Sequence, residues 1–324
     1  MGSGLKTRIG GRVILEGPLF QVNVVRELFA GTDVRVDAAA RPWTGNDVIG
    51  LLVWQSVTAA DMARLPALAG IATATTGFDN IDTEAAAQRG IWVCNVPEYC
   101  VEEVADSTIA LLLALLRGVV VLDRAVRTGG WDDHAAGPLL RLAGMRLGVL
   151  GFGRIGRAVA RRAQALGMET RASDPLVSDS EIEGAGVTPA PFEDLLRQCH
   201  AVTLHLPVTK GNQHLIGAPE LALMAPGSYL INAARGPLVD LDALLAALDS
   251  GRLAGAALDV LPVEPPTRQH PAPHHPRLIV TPHSAWYSPA AEREAAYRAT
   301  LSLKAVLEGR EPEGVVVRGE KTGY

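Results

Sequence analysis

The chain has 324 residues, which is long enough for two globular domains. Its content of 48% hydrophobic and 20% charged residues is ordinary for a globular protein. Its formal net charge of −5 gives no general reason to expect nucleic acid or an anionic membrane as a partner. Three scattered cysteines make no disulfide framework, and the longest apolar run, "IALLLALL", is well short of the about 18 residues that a membrane span needs. Together with a start that lacks the apolar core of a signal peptide, these features predict a soluble cytoplasmic protein.

The first hundred residues alternate strand-like and helix-like segments. The strand-like segments are "RVILEG", "DVIGLLVWQ", "IATAT" and "IWVCNVP". Between them lie an amphipathic stretch from Val22 to Phe29 and the helix-like segments "AADMARLPALA" and "NIDTEAAAQRG". The last of these closes on Gly90, a residue type that is common at helix ends. Strands that alternate with helices of this length predict a parallel sheet with helices on both faces.

The rest of the chain repeats this alternation. A helical pattern runs from about Val101 to Arg127 and ends where Gly129 and Gly130 interrupt its period. Six strand-like segments follow, "RLGVL", "TRASD", "AVTLHLP", "SYLINAA", "GAALDV" and "LIVTPH", and a last helix runs from about Pro289 to Leu307. Six strands in such a series match the count of a doubly wound dinucleotide-binding fold.

A glycine-rich segment, "GFGRIG" at residues 151–156, follows the strand "RLGVL" and opens a helix-like segment. A G-x-G-x-x-G match alone is weak evidence, but in this context it indicates a dinucleotide phosphate loop. Gly151 permits the tight turn, Gly153 lets a pyrophosphate approach the backbone, and Gly156 lets helix and strand pack closely. The start of the helix, with Arg154 and Ile155, offers backbone N–H groups to the phosphates.

Asp174 ends the next strand-like segment, eighteen residues after Gly156. Folds of this kind place an acid there to bind the adenosine ribose. Its carboxylate would repel a 2′-phosphate, so the sequence favours NAD over NADP. The alternative is a turn residue ahead of Pro175.

Six segments occur together in the order typical of one enzyme family: "TGFDNID", "VEEVADSTIALLLALLR", "GVLGFGRIGRAVA", "INAARGPLVD", "GAALDVLPVEP" and "VTPHSAWYS". On these segments the chain resembles the NAD-dependent D-2-hydroxyacid dehydrogenase family over nearly its full length. Within that family, "GFDNID", "VEEVADST" and the aromatic residues after "TPH" are most similar to the C-terminal-binding proteins, corepressors that retain the dehydrogenase fold. Bacterial dehydrogenases of the same branch are an equally plausible match.

The resemblance implies an α/β fold of two doubly wound domains. A Rossmann NAD-binding domain would span residues 103–289. A flavodoxin-like substrate-binding domain would be discontinuous and built from residues 1–102 and 290–324. The family usually dimerises through the long helix and the segment that follows it, so we expect a homodimer.

The resemblance also implies a catalytic trio, which matches Arg235 in "AARG", Glu264 in "VEP" and His283 in "TPH". A protonated imidazole can give its proton to a carbonyl oxygen, and a carboxylate beside it can stabilise the charged imidazole. An arginine offers a planar fork of donors for a substrate carboxylate. Taken singly, Arg235 and Glu264 could be ordinary loop residues, and His283 could be a structural histidine at a strand end.

Further matched positions concern binding. Thr76 and Gly77 are expected to offer backbone N–H groups to the substrate carboxylate, and Thr76 to reach the cofactor as well. Asp259 is expected to accept a hydrogen bond from the nicotinamide amide, and Trp286 to line the substrate cleft, although its ring could instead only fill space between domains. The other cofactor contacts are expected at Leu206, Pro207, Ala233, Ala234, Arg235 and His283.

Two features limit what the sequence can assign. Thr73 stands where the corepressor branch and many dehydrogenases have an arginine, which leaves Arg235 as the main charged anchor for a substrate. The tract "HPAPHHP" holds three histidines but no acid or cysteine to complete a ligand set, so we predict no metal.

Two functions are compatible with these residues. The first is an NAD-dependent oxidoreductase that interconverts a small 2-keto acid and its D-2-hydroxy acid. The second is an NAD(H)-sensing adaptor that binds partner peptides, as the corepressors do. Both would keep the catalytic residue types, but the chain lacks the long disordered tails of such adaptors, and we therefore favour the enzyme.

Overall fold

The computed structural model of the protein describes residues 10–17 and 19–320, which form two compact units. The first unit combines the residues up to Cys100 with those from Ser288 onward, and the second runs from Val101 to Tyr287. Each unit has its own sheet with helices, which confirms the predicted α/β class. The assignment of the first unit to substrate binding stays a prediction.

Strands and helices alternate along most of the chain. The first segment forms β1 (Gly10–Leu15), α1 (Val22–Leu28), β2 (Asp33–Ala38), β3 (Val48–Val53), α2 (Ala59–Ala63), β4 (Gly70–Thr73), α3 (Thr83–Gln88) and β5 (Trp92–Cys94). The second unit forms α4 (Val101–Leu116), α5 (Val119–Arg127), β6 (Arg146–Leu150), α6 (Arg154–Ala165), β7 (Glu169–Ser173), α7 (Asp179–Gly184), β8 (Thr188–Pro189), α8 (Phe192–Gln198), β9 (Ala201–Leu204), α9 (Ala218–Leu223), β10 (Ser228–Asn232), α10 (Leu241–Asp249), β11 (Leu253–Leu258) and β12 (Leu278–Val280). The last segment adds α11 (Pro289–Leu307) and β13 (Val315–Val317) to the first unit.

The sheet of the first unit has the strand order β13-β5-β4-β3-β1-β2, and only β13 runs antiparallel to its neighbour. All six residues of β3 are buried, as expected for a central parallel strand. Gly50 and Gly70 leave room for α11 on this sheet, because a Cβ atom at either position would lie 2.9 Å from the side chain of Leu303. The glycines therefore let the last helix pack directly on the strands.

The sheet of the second unit has the strand order β12-β11-β10-β9-β6-β7-β8, and every pairing in it is parallel. Neighbouring residues of one strand contribute to different apolar clusters: Leu230 of β10 belongs to one and Ile231 to the other. Because side chains alternate between the two faces of a strand, apolar material covers both faces of the sheet. This is the doubly wound arrangement that the six strand-like segments predict.

The structure corrects the sequence prediction in two places. The single helix expected from Val101 to Arg127 is two helices, because Gly118 adopts a left-handed backbone conformation (φ 61°) between α4 and α5. The prediction also lacks β2, β8 and β13. These strands lie at sheet edges and are short or half-polar, so their patterns carry little apolar signal.

Candidate active site

The three predicted catalytic residues follow three neighbouring strands. Strands β10, β11 and β12 are adjacent and parallel, and Arg235, Glu264 and His283 lie in the loops after their carboxyl ends. The glycine-rich loop at residues 151–156 follows β6 in the same parallel sheet. Carboxyl ends of parallel strands lie at one edge of a sheet, so the fold places the trio and the loop at the edge where such sheets bind ligands.

His283 and Glu264 form a direct pair. The distance from His283 Nδ1 to Glu264 Oε2 is 2.7 Å, and the two side chains are 45% and 35% exposed. The other carboxylate oxygen, Oε1, accepts a hydrogen bond of 2.8 Å from the N–H of Leu261, which fixes the direction of the carboxylate. An ionised carboxylate only accepts, so Nδ1 donates, and Nε2 is the nitrogen left for a substrate.

The backbone around His283 is held by Asp259, which is 2% exposed. The carboxylate of Asp259 accepts from the N–H groups of Ser284 and Ala285 at 2.9 Å each, and from the hydroxyl of Thr281 at 2.5 Å. The carbonyl of Asp259 accepts from the N–H of His283 at 2.8 Å. These bonds hold His283 in a left-handed conformation (φ 52°), which is rare and costly for a residue with a side chain. Asp259 thus shapes the histidine loop, and its predicted contact with nicotinamide stays a prediction.

Arg235 lies in a loop that packs against the loop of Glu264. A Cβ atom on Gly236 would lie 2.1 Å from the carbonyl carbon and oxygen of Leu261, so the two loops are in backbone contact. The half-buried guanidinium of Arg235 donates to the carbonyl of Ala234 at 2.8 Å. The positive charge therefore sits on a segment that is fixed relative to the Glu264 and His283 pair.

The geometry of the glycine-rich loop fits a dinucleotide pyrophosphate. Gly151 has a φ of 90°, and a Cβ there would lie 2.6 Å from the carbonyl oxygen of His205. A Cβ on Gly156 would lie 2.1 Å from the carbonyl oxygen of Gly151, whereas Gly153 faces open space with no atom within 4 Å. Gly153 also caps the twelve-residue helix α6, which begins with Arg154 and Ile155. The backbone N–H groups in the first turn of a helix point out of its start, where an anion can accept from them.

Asp174 follows β7 and is tied to the same loop. Its Oδ2 accepts from the N–H of Phe152 at 2.7 Å, and its Oδ1 accepts from the N–H of Leu176 at 2.8 Å. The half-buried carboxylate is thereby fixed beside the glycine-rich loop rather than turned into solvent. If the adenosine ribose binds here as predicted, a negative charge at Asp174 would oppose a 2′-phosphate on it.

We expect this charge to be measurable as a cofactor preference. The kcat/KM with NADH should exceed that with NADPH by at least about tenfold, which corresponds to about 1.4 kcal/mol of like-charge repulsion. Asp174→Ala should reduce the ratio of kcat/KM with NADH to kcat/KM with NADPH. Asp174→Asn, which removes the charge but keeps the size, should reduce this ratio by a similar factor. Steady-state rates with each cofactor check this. A wild-type preference for NADPH would show that Asp174 does not bind the adenosine ribose of the cofactor.

The remaining predicted cofactor positions lie at neighbouring strand ends. Leu206 and Pro207 follow β9, and the carbonyl of Pro207 accepts from the side-chain amide of Asn212 at 2.8 Å. Ala233 and Ala234 follow β10 directly. All four residues therefore lie at the carboxyl ends of their strands, as predicted. Their contacts with a cofactor stay predictions.

In the first unit, Thr76 and Gly77 follow β4 in a loop that is held by side chains. Asn95 donates to the carbonyl of Thr76 at 2.6 Å, and the hydroxyl of Thr76 donates to the carbonyl of Val96 at 3.3 Å. The hydroxyl of Thr75 donates to the carbonyl of Gly77 at 2.5 Å. These bonds use carbonyls and hydroxyls of the loop, and its backbone N–H groups are the donors that the sequence prediction assigns to the substrate. Their use for a substrate carboxylate stays a prediction.

Trp286 lies three residues beyond His283. Its indole N–H donates to the carbonyl of His283 at 2.9 Å, and its ring meets Tyr287 edge to face at 5.5 Å. The ring is half-buried, so part of it is open to contact. The position of this aromatic ring is therefore coupled to the position of the histidine.

Several other reactive side chains are unsuited to the chemistry. Burial lowers the pKa of His205 to about 3, so this histidine is neutral near pH 7 and cannot be the proton donor. Burial raises the pKa of the Cys94 thiol to about 12 and that of Cys199 to about 11, which leaves both without a nucleophilic thiolate.

The histidines of the "HPAPHHP" tract each have a separate partner. His270 accepts from the N–H of Ala272, His274 contacts the carbonyl of Arg268, and His275 contacts Asp249. In the part of the chain that the structure describes, Asp132, Asp133 and His134 come within reach of a common ion, but all three are exposed. An exposed acidic cluster is by itself no evidence for a metal, and we assign none.

Comparison with known proteins identifies the family. The family model "D-isomer specific 2-hydroxyacid dehydrogenase, NAD binding domain" matches residues 109–285. A glycerate dehydrogenase from Methylorubrum extorquens is 35% identical over 289 residues, which cover 85% of this chain and 89% of that protein. The chain belongs to the D-2-hydroxyacid dehydrogenase family. It is accordingly an NAD-dependent oxidoreductase of the 2-hydroxyacid class, which confirms the predicted activity and cofactor.

Two further members of the D-2-hydroxyacid dehydrogenase family extend the match. A glyoxylate reductase from Thermococcus litoralis is 41% identical over 225 residues, which cover 68% of each chain. The D-lactate dehydrogenase of Aquifex aeolicus, solved with NAD and lactic acid, is 27% identical with a TM-score of 0.82 and covers 92% of this chain and 96% of that chain. These relatives are named for dehydrogenase or reductase activity. The special likeness to the C-terminal-binding proteins and the adaptor alternative receive no support from them.

No helix in the described part of the chain combines the length and the apolar character that crossing a membrane requires.

The sequence prediction missed the residues that hold the site in place. Asn232, at the end of β10, accepts from the N–H of Ala234 and donates to the carbonyl of Arg235, and Gly236 allows the contact with Leu261. A signal for Asn232 was present, since an asparagine at the end of a strand often bonds to the backbone of the following turn. For Gly236 the sequence gives no sign of which loop lies opposite.

Proposed function

We propose that Arg235, Glu264 and His283 interconvert a small 2-keto acid and its D-2-hydroxy acid with NAD(H). The observation that carries this proposal is the 2.7 Å hydrogen bond between His283 and Glu264, in the sheet that also carries the glycine-rich loop. The direct test is NADH consumption by the purified protein with one 2-keto acid at a time as the oxidant.

His283 is the proton donor in this proposal. Because Glu264 binds Nδ1, the proton for the substrate carbonyl oxygen leaves from Nε2. NADH, when bound, supplies the hydride for the carbonyl carbon. After transfer His283 is neutral and Glu264 is still ionised. In the oxidation direction Nε2 takes the hydroxyl proton back.

Arg235 is the group that holds the substrate carboxylate. Its planar guanidinium can give two parallel N–H bonds to one carboxylate, which fixes the direction of the substrate as well as its position. A fixed keto acid presents its carbonyl to a donor at a constant distance, and this orientation lowers the entropic part of the barrier. The fixed backbone around Arg235 supports the role.

The proposal includes the other binding residues that the sequence predicts. The cofactor would contact Thr76, Gly151, Gly153, Arg154, Ile155, Gly156, Asp174, Leu206, Pro207, Ala233, Ala234, Arg235, Asp259 and His283, and the substrate would contact Thr76, Gly77, Arg235, His283 and Trp286. The relatives are named for glyoxylate, glycerate and lactate, and each of these acids carries one carboxylate. A single carboxylate agrees with Arg235 as the main anchor.

Trp286 gives a prediction on substrate preference. An aromatic ring fixed beside His283 narrows the space for the substrate tail and favours an apolar tail over a second carboxylate. We expect a higher kcat/KM for 2-keto acids with a short apolar or thioether tail than for oxaloacetate. Trp286→Ala should weaken that preference and leave NADH affinity within about twofold.

Trp286→Phe is the matched control, because it keeps an aromatic ring but loses the N–H bond to His283. Steady-state rates with pyruvate, oxaloacetate and a longer-tailed keto acid check the preference. Equal losses of kcat/KM for all three substrates after Trp286→Ala would show that the ring supports the fold and does not contact the substrate tail.

The finer parts of the proposal are a homodimer and a cytoplasmic location. Helix α5 has no buried residue, and Val119, Val126 and Trp131 expose 54%, 50% and 91% of their surfaces. An apolar surface of this kind favours a second copy as its partner. Sedimentation equilibrium tests the dimer, and a monomer at micromolar concentration would reject it.

The three cysteines are buried thiols outside any disulfide, which agrees with a reducing compartment such as the cytoplasm.

A further inference from the structure

Asn232 is fully buried at the carboxyl end of β10, three residues before Arg235. Its side-chain amide donates to the carbonyl of Arg235 at 2.9 Å, and its Oδ1 accepts from the N–H of Ala234 at 3.0 Å. A backbone carbonyl only accepts and a backbone N–H only donates, so the orientation of the amide is fixed by its partners. An ionised aspartate of the same shape could make the second bond but not the first.

The backbone after Arg235 is held from another direction. Gly236 is buried and lies against the peptide between Leu261 and Pro262, with room for hydrogen only. This peptide precedes Glu264, whose carboxylate accepts from the N–H of Leu261 at 2.8 Å. The Arg235 segment is therefore clamped between the Asn232 side chain and the loop that carries Glu264.

We propose that Asn232 is a positioning residue that sets where Arg235 places its guanidinium, and through it how firmly the substrate carboxylate is held. This inference rests on the proposed role of Arg235 as the carboxylate anchor. The simpler interpretation is that Asn232 closes a buried strand end and acts only on stability. The two interpretations differ in whether the loss of Asn232 acts through Arg235.

The test is a double-mutant cycle on kcat/KM for a 2-keto acid with Asn232→Asp and Arg235→Lys. Asn232→Asp alone should lower kcat/KM by about 10- to 10²-fold, the usual cost of a small misplacement of a reacting group. The Arg235→Lys protein no longer has a guanidinium to position. Adding Asn232→Asp to it should therefore lower kcat/KM by no more than about a further threefold, since coupled residues do not act additively. The dissociation constant of NADH should stay within about threefold of wild type in the Asn232→Asp protein.

Thr108→Val is the matched control, because the Thr108 hydroxyl is also buried and donates to a backbone carbonyl, that of Val104, at 2.7 Å. It should lower the melting temperature without a change in kcat/KM. If Asn232→Asp does not fold, Asn232→Ala takes its place in the same cycle.

The outcomes separate this inference from the function on which it rests. If Arg235→Lys alone leaves the KM for the keto acid unchanged, Arg235 is not the anchor, and both proposals fall. If Arg235→Lys has its effect but the Asn232 variant matches wild type, or if the two losses multiply, only the positioning role is overturned.

Discussion

The His283→Gln variant is expected to reduce 2-keto acids at least about 10²-fold more slowly than wild type at saturating substrate, while it still binds NADH. Glutamine keeps a polar group near Glu264 but has no proton to give at neutral pH. The 2.7 Å hydrogen bond to Glu264 holds the imidazole by Nδ1 and leaves Nε2 for the substrate. Measurement of kcat together with NADH binding by fluorescence separates loss of chemistry from loss of cofactor.

Two further variants serve as controls for His283→Gln. His283 has a left-handed backbone, which asparagine tolerates better than glutamine, so His283→Asn shows whether backbone strain contributes to the loss. Glu264→Gln removes the carboxylate that accepts from Nδ1 and should lower kcat for reduction, because the imidazole loses the partner that fixes its orientation. A kcat within about threefold of wild type in both His283 variants would end the assignment of His283 as the acid.

The second large effect is expected at Arg235. Replacing the fork with a single ammonium in Arg235→Lys should raise the KM for the keto acid and lower kcat/KM by about 10²-fold, because a bidentate, oriented contact becomes a point contact. The sequence has Thr73 where many dehydrogenases have an arginine, so we expect no second arginine to compensate. Steady-state kinetics with a fixed, saturating NADH concentration check this result.

Arg277→Lys is the control for charge and size. Arg277 also donates to a backbone carbonyl, that of Leu248, at 3.0 Å, but it precedes β12 and so lies at the opposite end of the strand from His283. Its replacement should leave kcat/KM unchanged. Equal effects of the two lysine variants would contradict a specific role of Arg235 in substrate binding.

Much of the fold and the site can be predicted because the signals are local. A strand and its following turn lie within a few residues of each other, so "RLGVL" followed by "GFGRIG" is enough to predict the strand, the turn and the helix start that the structure shows there. The predicted bounds of helix α11 agree with the observed ones, because its apolar positions repeat at helical spacing and Ser288 and Pro289 mark its start. The trio of Arg235, Glu264 and His283 is proposed from short family motifs, and each of these residues follows an apolar strand as expected.

The features that escape prediction depend on contacts between distant segments. The apolar period continues through Gly118, so only the observed φ of 61° reveals that one helix is two. Strand β13 pairs with β5, more than two hundred residues earlier in the chain, and three valines near the end of a sequence do not reveal that partner. The bonds of Asp259 depend in the same way on a loop shape that no spacing rule encodes.

The most direct test of the proposed mechanism is the rate of NADH consumption by the purified protein with a panel of single 2-keto acids, measured for wild type and for His283→Gln. We predict turnover of glyoxylate, hydroxypyruvate, pyruvate or a longer apolar-tailed keto acid, with oxaloacetate poorer, and a loss of at least about 10²-fold in the variant. Absence of NADH consumption with every acid in the panel, or equal rates in the two proteins, would contradict the mechanism.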